Sequence, residues 1–338
     1  MKFGSVPLAL SEGAIVAHAI KSDGLVLKKG DIVRAEHIAA LKAAGIDAIV
    51  VARLEEGDVA ENDAAHQLAA SLAGANLRLE PPFTGRCNLM AASPGLFVPD
   101  AAGIDRINRL DESITVATLR PFVPVVEGEM VATIKIIPFA VPEQVLVRAL
   151  AAAEGAAMRI APFRLKRIGA ISTVLPGLKN STITKTMRVF EERLAVADAK
   201  LVSEERVPHQ IGELTEAIRR VEAQCDLVVI FGASAITDRR DVIPAAIEKA
   251  GGAIEHFGMP VDPGNLLLVA RTAEANGAKP VIGAPGCARS PKENGFDFVL
   301  QRLLAGIPVS AEDVTRMGVG GLLMEIVSRP QPRAGSTE

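Results

Sequence analysis

The sequence contains no tryptophan and no tyrosine, and its 11 phenylalanines are scattered along the chain. Proteins that bind single-stranded nucleic acid stack the bases on aromatic side chains, and this sequence offers no such surface. The formal net charge is −3, so no excess of basic residues is available to neutralise a phosphate backbone. We therefore predict that nucleic acid is not a partner of this protein.

Cysteine is also rare, with only Cys87, Cys225 and Cys287, which lie far apart. They form no CxxC pair, which excludes a disulfide framework and a recognisable zinc site and fits a reducing compartment. No apolar run reaches the length of about 18 residues that a membrane helix needs. The apolar run within residues 1–18 is interrupted by polar residues, unlike a signal peptide. We predict a cytoplasmic protein without a membrane partner.

The length of 338 residues predicts two or three domains rather than one small core. Residues 1–55 alternate in the manner of strands and predict a β-rich N-terminal subdomain, and residues 56–165 read as a mixed α+β region. Residues 166–327 alternate strands with helices and predict an α/β domain. Residues 328–338 are rich in proline, glycine and serine, which is typical of a disordered tail or a linker.

The α/β part of the sequence has a continuous apolar run at 227–231, which is typical of a strand buried on both faces of a parallel sheet. The alternation of strands and helices predicts a doubly wound, mostly parallel sheet in a three-layer α/β/α domain, preceded by a mixed β-rich region. Such sheets bind ligands at the carboxyl ends of their strands. The loops that follow the predicted strands are therefore the candidate sites.

The first of these loops, STVLPGLKNSTITKTM, is rich in hydroxyl groups and lysines ahead of a predicted helix, a combination that suits a phosphate group. It lacks the spacing of a P-loop and of a dinucleotide fingerprint. Helix capping and turn formation would account for the serines and threonines equally well. The candidate residues are Ser172, Thr173, Lys179, Ser181, Thr182 and Lys185.

The second loop, GASAITDRR, brings Asp238 and Asp241 to the start of a helix. A carboxylate at this edge could bind a metal, orient a polar ligand or act as a base. The simpler interpretation is that Asp241 caps the helix and Asp238 is solvated.

The third loop, GAPGCARSPKENG, contains glycines that permit close approach to the backbone, and the following helix start favours anions. Arg289 and Lys292 add positive charge, although solvated cations would look the same in the sequence. Cys287 has no evident partner base, so we do not expect a nucleophile. The segment 262–265 predicts a hairpin turn. Isolated His209 is interpreted as structural or solvated.

These motifs together carry a family resemblance. Residues 168–304 resemble the molybdopterin-binding domain shared by molybdopterin adenylyltransferase and molybdopterin molybdotransferase, in which a strand ends in a glycine-rich loop and an aspartate opens the next helix. Gly232-Ala233-Ser234 and Asp241-Val242-Ile243-Pro244 stand at those places. Pro263-Gly264 and Pro285-Gly286-Cys287 resemble later turns of the molybdotransferase, and residues 27–54 resemble the segment that leads into its domain.

The resemblance implies binding of the pterin, its dithiolene and its terminal phosphate. Asp241, supported by Asp238, would act in catalysis and would bind Mg²⁺ or molybdate, while Arg289, Lys292 and Lys185 would hold the phosphate. The residues assigned to ligand binding are Gly232, Ala233, Ser234, Ser172, Thr173, Lys185, Pro263, Gly264, Pro285, Gly286, Cys287, Arg289 and Lys292.

The function implied is molybdopterin binding in molybdenum cofactor biosynthesis, with transferase-like molybdate insertion or adenylyl-molybdopterin chemistry. The family's acidic Thr-Gly-Asp-Glu motif is replaced by residues 172–177, which favours a non-catalytic carrier. A nucleotide-processing enzyme of the competence-damage-inducible type is a third alternative, because it shares the domain. The implied partners are molybdopterin or its nucleotide form, a cytidylyltransferase domain or a molybdoenzyme, and further copies of this chain.

Overall fold

The computed structural model describes residues 1–22 and 25–324. The chain divides into two compact units, Met1–Ala161 and Pro162–Glu338. The tail predicted at 328–338 lies outside the described residues, as does the end of the domain predicted at 166–327. The finer division of the chain stays a prediction. None of the helices in the described residues is long and apolar enough to cross a membrane.

The first unit opens with a small antiparallel sheet. Its elements are β1 (Lys2–Pro7), β2 (Ile15–Val16), β3 (Ile20–Ser22), β4 (Leu25–Leu27), α1 (Ala35–Ala43) and β5 (Ala48–Arg53). The strands pair in the order β1-β5-β2, and β3 pairs with β4. Leu27 of β4 and Val51 of β5 are buried because the alternating sequence turns one side of each strand inward, and Leu41 of α1 lies in the same buried cluster.

The remainder of this unit mixes short antiparallel sheets with three helices. Its elements are β6 (Asp58–Ala60), α2 (Glu61–Leu72), β7 (Leu77–Leu79), β8 (Arg86–Ala91), β9 (Gly95–Val98), α3 (Ala101–Asn108), β10 (Ile114–Thr118), β11 (Pro124–Val125), β12 (Met130–Ile136), β13 (Ala140–Pro142), α4 (Glu143–Ala153) and β14 (Arg159–Ala161). The sheets have the orders β10-β12-β8-β7, β11-β9-β14 and β13-β6. Leu68 and Leu72 of α2 share a buried cluster with Leu89 of β8. The predicted β-rich, mixed character of this region is confirmed.

The second unit is built on one large sheet. Its elements are β15 (Arg167–Val174), α5 (Asn180–Ala195), β16 (Lys200–Pro208), α6 (Ile211–Glu222), β17 (Leu227–Phe231), α7 (Val242–Lys249), β18 (Ala253–Phe257), β19 (Leu268–Arg271), β20 (Pro280–Ala284), α8 (Gly295–Leu304) and α9 (Ala311–Thr315). The strand order is β16-β15-β17-β20-β19-β18. The first four strands run parallel, and β19 runs antiparallel to both neighbours. The predicted mostly parallel sheet is confirmed.

Both faces of this sheet are covered by helices, which explains the continuous apolar run of β17. Phe231 packs on one face with Phe190 of α5, their ring centroids 5.3 Å apart, and both lie in a cluster that includes α8. Ile230 packs on the opposite face with Ile218 of α6 and residues of α7. A strand buried on both faces excludes polar residues from either side. The three-layer α/β/α architecture follows from this packing.

One edge of the sheet collects the loops of interest. The carboxyl ends of β15, β16, β17 and β20 lie there because these strands are parallel. The strand β18 runs the same way as β20, since each is antiparallel to β19. The connections 175–179, 232–241, 258–267 and 285–294 therefore leave the sheet at the same edge.

Candidate functional site

The loop 232–241 follows the central strand β17 and is tied to its neighbour β15. The backbone N–H of Ala233 donates to Oγ1 of Thr173 at 2.8 Å. A Cβ atom at Gly232 would lie 2.6 Å from the carbonyl oxygen of Ser234 and 2.9 Å from Ile243, so only glycine fits at this turn. Ser234 itself is exposed. The loop thus exposes the hydroxyl group of Ser234 at the edge of the sheet, while its backbone is fixed by the hydrogen bond to Thr173.

Asp241 is the N-cap of α7. Its carboxylate accepts the backbone N–H of Val242 at 2.7 Å and that of Thr237 at 3.4 Å. The carbonyl of Asp241 accepts the N–H of Ala245, which begins the helical pattern. The capping interpretation of this residue is therefore confirmed, and the roles of Asp241 in catalysis and metal binding stay predictions.

Asp238 is exposed and forms an ion pair with Arg240. Nε and Nη2 of Arg240 donate to the two carboxylate oxygens at 2.7 and 3.2 Å. These hydrogen bonds lower the pKa of Asp238 to about 2. The N–H of Asp241 bonds to the carbonyl of Asp238, not to its carboxylate. Asp238 and Asp241 are thus neighbours through the backbone, and the Asp238 carboxylate is engaged at the surface.

A resident metal has no cluster of protein ligands here. Among residues 1–22 and 25–324, no group of three or more His, Cys, Asp or Glu side chains lies close enough together to hold a metal ion. Magnesium can also bind through one carboxylate and the oxygens of a phosphorylated substrate. The predicted use of Mg²⁺ by Asp241 gains no support from the geometry of the described residues.

Arg289 connects the loop 285–294 to the loop 232–241. Its Nη2 donates to the carbonyl of Gly232 at 2.7 Å. Burial lowers the pKa of the Arg289 guanidinium. Within the part of the chain that the structure describes, no carboxylate lies within ion-pair distance of it. Lys292 lies in the same loop but is exposed. The two cations that looked alike in the sequence therefore differ in burial.

Arg193 of α5 braces the loop 285–294 by hydrogen bonds to the loop backbone and to Asp297 of α8. Nε of Arg193 donates to Asp297 at 2.6 Å, and its Nη1 and Nη2 donate to the carbonyls of Ala288 and Ser290 at 3.0 and 2.6 Å. The side chains of Arg193 and Asp297 are only 9% and 10% exposed. Sequence reasoning missed Arg193, because an arginine on a helix 104 residues from its partner looks like a solvated one.

Cys287 lies in this braced loop as a protonated thiol. Its Sγ donates to Oδ1 of Asn294 at 3.6 Å. Burial raises the pKa of Cys287 to about 11, so the thiolate is scarce at neutral pH. This agrees with the expectation that Cys287 is not a nucleophile.

The helix start after this loop offers fewer free amides than the sequence predicts. The N–H of Gly295 donates to the carbonyl of Pro263 at 2.8 Å, and that of Phe296 donates to Oδ1 of Asn294 at 3.1 Å. The N–H of Asp297 bonds to the carbonyl of Asn294. The expectation that these amides bind an anion was wrong, because the chain itself satisfies them.

The turn that contains Pro263 and Gly264 lies within the connection between β18 and β19. Gly264 has φ +147°, and a Cβ there would lie 2.8 Å from Cα of Gly295. The turn therefore packs directly against the first residue of α8. The structure brings Pro263 and Gly264 to the start of α8, next to the loop that contains Cys287 and Asn294, and their role in ligand binding stays a prediction.

Ser172 and Thr173 are buried within β15, 3% and 1% exposed, and do not lie in the following loop. Oγ of Ser172 has no hydrogen-bond partner among the described residues. Lys185 is also placed differently, because α5 begins at Asn180 and includes it at an exposed position. Thr184 and Thr186 donate to carbonyls one turn earlier, which lets this hydroxyl-rich segment form a helix.

His209 was not expected in the site. It follows the last residue of β16, and its ring nitrogens lie 2.8 Å from Oγ1 of Thr173 and 3.2 Å from Oγ of Ser234. It therefore joins the end of one strand to the loop that follows another. Sequence reasoning could not find this contact, because nothing in the spacing of His209 marks it.

A match to a known protein family covers most of the second unit. Residues 173–306 match the family described as a probable molybdopterin binding domain. Residues 5–53 match a domain of unknown function (DUF8806). The search of curated proteins gave no match.

Several solved structures are similar to this chain at low identity. A molybdopterin biosynthesis moeA protein from Pyrococcus horikoshii is 15% identical, with 90% of this chain and 75% of that chain covered and a TM-score of 0.32. The molybdopterin biosynthesis enzyme MoaB from Thermus thermophilus is 16% identical, with 42% and 98% covered and a TM-score of 0.28. The protein CinA, of unknown function, from Thermoplasma acidophilum is 16% identical, with 37% and 90% covered and a TM-score of 0.26.

The part of the chain that matches the family model contains the parallel strands β16, β17 and β20 and the loops 232–241 and 285–294. The resemblance that these loops carry in the sequence is thereby confirmed. Through residues 173–306, this chain is similar to the family described as a probable molybdopterin binding domain.

Proposed function

We propose that this protein binds molybdopterin or its nucleotide form in molybdenum cofactor biosynthesis, and that Arg289 holds its phosphate. The main observation in support of this proposal is the half-buried guanidinium of Arg289, which has one carbonyl partner and no carboxylate partner in the described residues. A cation withdrawn from water needs a compensating anion. The terminal phosphate of the pterin would supply it.

The remaining donors of Arg289 suit this role. One N–H group is used on Gly232, and the planar guanidinium has further N–H groups that match two phosphate oxygens. At Gly286, in the same loop, a Cβ would contact no atom within 4 Å, so the fold itself does not require glycine there. A ligand that approaches the backbone closely would require glycine at this position.

Both candidate catalytic carboxylates already form bonds within the protein, which favours a binding function over a catalytic one. Asp241 caps α7, and Asp238 is paired with Arg240 at the surface. A non-catalytic carrier needs neither group for chemistry. Adenylyl-molybdopterin chemistry or molybdate insertion remains the second candidate, because the Asp241 carboxylate follows the same loop whose carbonyl at Gly232 holds Arg289. A cytoplasmic location and assembly into several copies stay predictions.

The test is to express the full chain in a host that makes molybdopterin, purify it and measure the oxidised fluorescent pterin per chain. We expect near-stoichiometric pterin in the unmodified protein. In Arg289→Met the content should fall by about 10-fold or more, the typical worth of a lost charge-assisted hydrogen bond. Arg188→Met is the matched control, because Arg188 is an exposed arginine on α5 with no assigned role in ligand binding, and its pterin content should stay close to that of the unmodified protein.

Asp241→Asn separates the two candidates. Asparagine caps a helix about as well as aspartate, so the variant removes charge while it keeps the helix start. A carrier would retain its pterin unchanged, whereas an enzyme would retain the pterin and lose turnover, with adenylylated pterin accumulating on the variant. A folded protein without pterin would contradict the proposal and favour the nucleotide-processing alternative.

A further inference from the structure

We propose that His209 is a positioning residue that aims the hydroxyl group of Ser234 at the bound phosphate. This inference rests on the proposed function and adds to it a histidine that neither the family match nor the sequence motifs assign. Its basis is the chain of contacts Thr173–His209–Ser234. That chain joins β15, the end of β16 and the loop 232–241.

His209 is anchored on both sides. Its backbone N–H donates to the carbonyl of Val174 at 2.9 Å, which fixes the residue just beyond the end of β15. Its Nδ1 lies 2.8 Å from Oγ1 of Thr173, and its Nε2 lies 3.2 Å from Oγ of Ser234. The ring is therefore held between a buried hydroxyl group and an exposed one.

The hydrogen atoms of this chain can be assigned from Thr173. Oγ1 of Thr173 already accepts the N–H of Ala233 at 2.8 Å, and the residue is 1% exposed. Its own hydrogen has one acceptor within reach in the described residues, Nδ1 of His209. If Nδ1 carried a hydrogen instead, the hydroxyl of Thr173 would be a buried donor without an acceptor, which is unfavourable. His209 is thus the Nε2–H tautomer.

This tautomer determines what Ser234 can do. Nε2–H of His209 donates to Oγ of Ser234, so the hydrogen of Ser234 is free to point outward from the exposed loop. His209 in this tautomer cannot take the hydrogen of Ser234, so His209 does not act as a base for Ser234. A hydroxyl oriented in this way is a donor for a phosphate oxygen. The same loop places the carbonyl of Gly232 on Arg289, so Arg289 and Ser234 would hold one phosphate from two sides.

The closing experiment measures the binding of inorganic phosphate to the full chain by NMR titration, in variants checked for fold by circular dichroism. We expect Ser234→Ala and His209→Asn to weaken phosphate binding by about 3- to 10-fold, the effect of one neutral hydrogen bond. His209→Gln places an amide nitrogen near the position of Nε2 and should stay within about 2-fold of the unmodified protein. A role in packing alone would make the two amides equivalent.

A second readout tests the tautomer directly. Long-range ¹⁵N–¹H spectra of the histidine rings should show a protonated Nε2 and an unprotonated Nδ1 for His209, assigned by its disappearance in His209→Gln. The opposite tautomer would overturn the inference, as would phosphate binding that Ser234→Ala leaves unchanged.

Arg289→Met separates the two proposals. If it abolishes phosphate binding while Ser234→Ala and His209→Asn do not change it, only the role of His209 fails. If Arg289→Met binds phosphate as well as the unmodified protein, the proposed function itself fails at its central contact.

Discussion

The loops 232–241 and 285–294 follow neighbouring parallel strands, precede helices and carry similar residues, yet they hold their charges in opposite ways. In the loop 285–294 the charged groups are turned inward, with the Arg193–Asp297 pair beneath it and Arg289 half-buried within it. In the loop 232–241 the Asp238–Arg240 pair lies at the surface. A charge at a strand end is thus a weak indication of a site, and burial without a counter-charge is a strong one.

The largest effect on stability is expected from loss of the Arg193–Asp297 ion pair that supports the loop 285–294. Arg193→Met would leave the Asp297 carboxylate buried without its partner and the carbonyls of Ala288 and Ser290 without donors. We expect the free energy of unfolding to fall by about 3 to 5 kcal/mol, as for other broken buried pairs. Urea unfolding followed by circular dichroism measures this.

The matched control for this prediction is Arg240→Met in the other loop. Its ion pair is exposed to solvent and should leave the unfolding midpoint unchanged. Adding Asp297→Asn to Arg193→Met should recover part of the loss, because the uncompensated charge is removed. Equal losses from Arg193→Met and Arg240→Met would contradict the comparison of the two loops.

The next effect concerns the burial of Cys287. Because burial raises the pKa of Cys287 to about 11, its thiolate fraction at pH 8 is small. We expect alkylation by iodoacetamide to be roughly 200-fold slower than for an ordinary thiol of pKa about 8.5, and to speed up as the pH rises toward 11. Mass spectrometry of the labelled peptide follows the reaction.

The chain unfolded in urea is the control for this labelling, since all three thiols should then react at the ordinary rate. Rapid labelling of Cys287 in the folded protein near pH 7 would show that this loop is open, and it would restore Cys287 as a candidate nucleophile.

A smaller effect is expected at the cap of α7. Asp241→Ala removes the acceptor of the Val242 N–H and should lower the free energy of unfolding by about 1 kcal/mol. Asp241→Asn should lower it by much less, because the amide oxygen also caps. If both variants destabilise the protein equally, the contribution of Asp241 is its charge and not its capping bond.

The smallest effect is expected at Asp238. Its pKa of about 2 keeps the carboxylate ionised throughout the physiological range, so no titration of this group should appear between pH 5 and 8. Asp238→Asn should leave pterin content, stability and pH dependence unchanged. Loss of turnover in this variant would instead support the predicted pair of catalytic carboxylates.

Much of the sheet could be predicted because its signals are local. The apolar run of β17 indicated burial on both faces, and the alternation of strands and helices indicated parallel pairing, which placed three loops at one edge. The start of α5 was missed because serine and threonine favour caps and turns, whereas here Thr184 and Thr186 bond back to the preceding turn. The signal at this point was ambiguous rather than absent.

In the candidate site, too, the features that could be predicted are local in the sequence, and those that were missed are contacts between distant residues. The glycines of the turns and the cap at Asp241 are local features, and they appear where the sequence places them. Arg193 and His209 are not local features, since their partners Asp297, Thr173 and Ser234 come from other strands and loops. No spacing in the chain marks such a pair.

The sequence by itself determined the alternating α/β pattern of the second unit, the loops at the carboxyl ends of its strands, and a composition without tryptophan or tyrosine and with a net charge of −3. Only the tertiary structure decided which charged side chains are buried, which are paired and which helix amides remain free. The physical reason is that periodicity and turn chemistry act between near neighbours in the chain. Desolvation and ion pairing depend instead on which helices and loops pack together over the sheet.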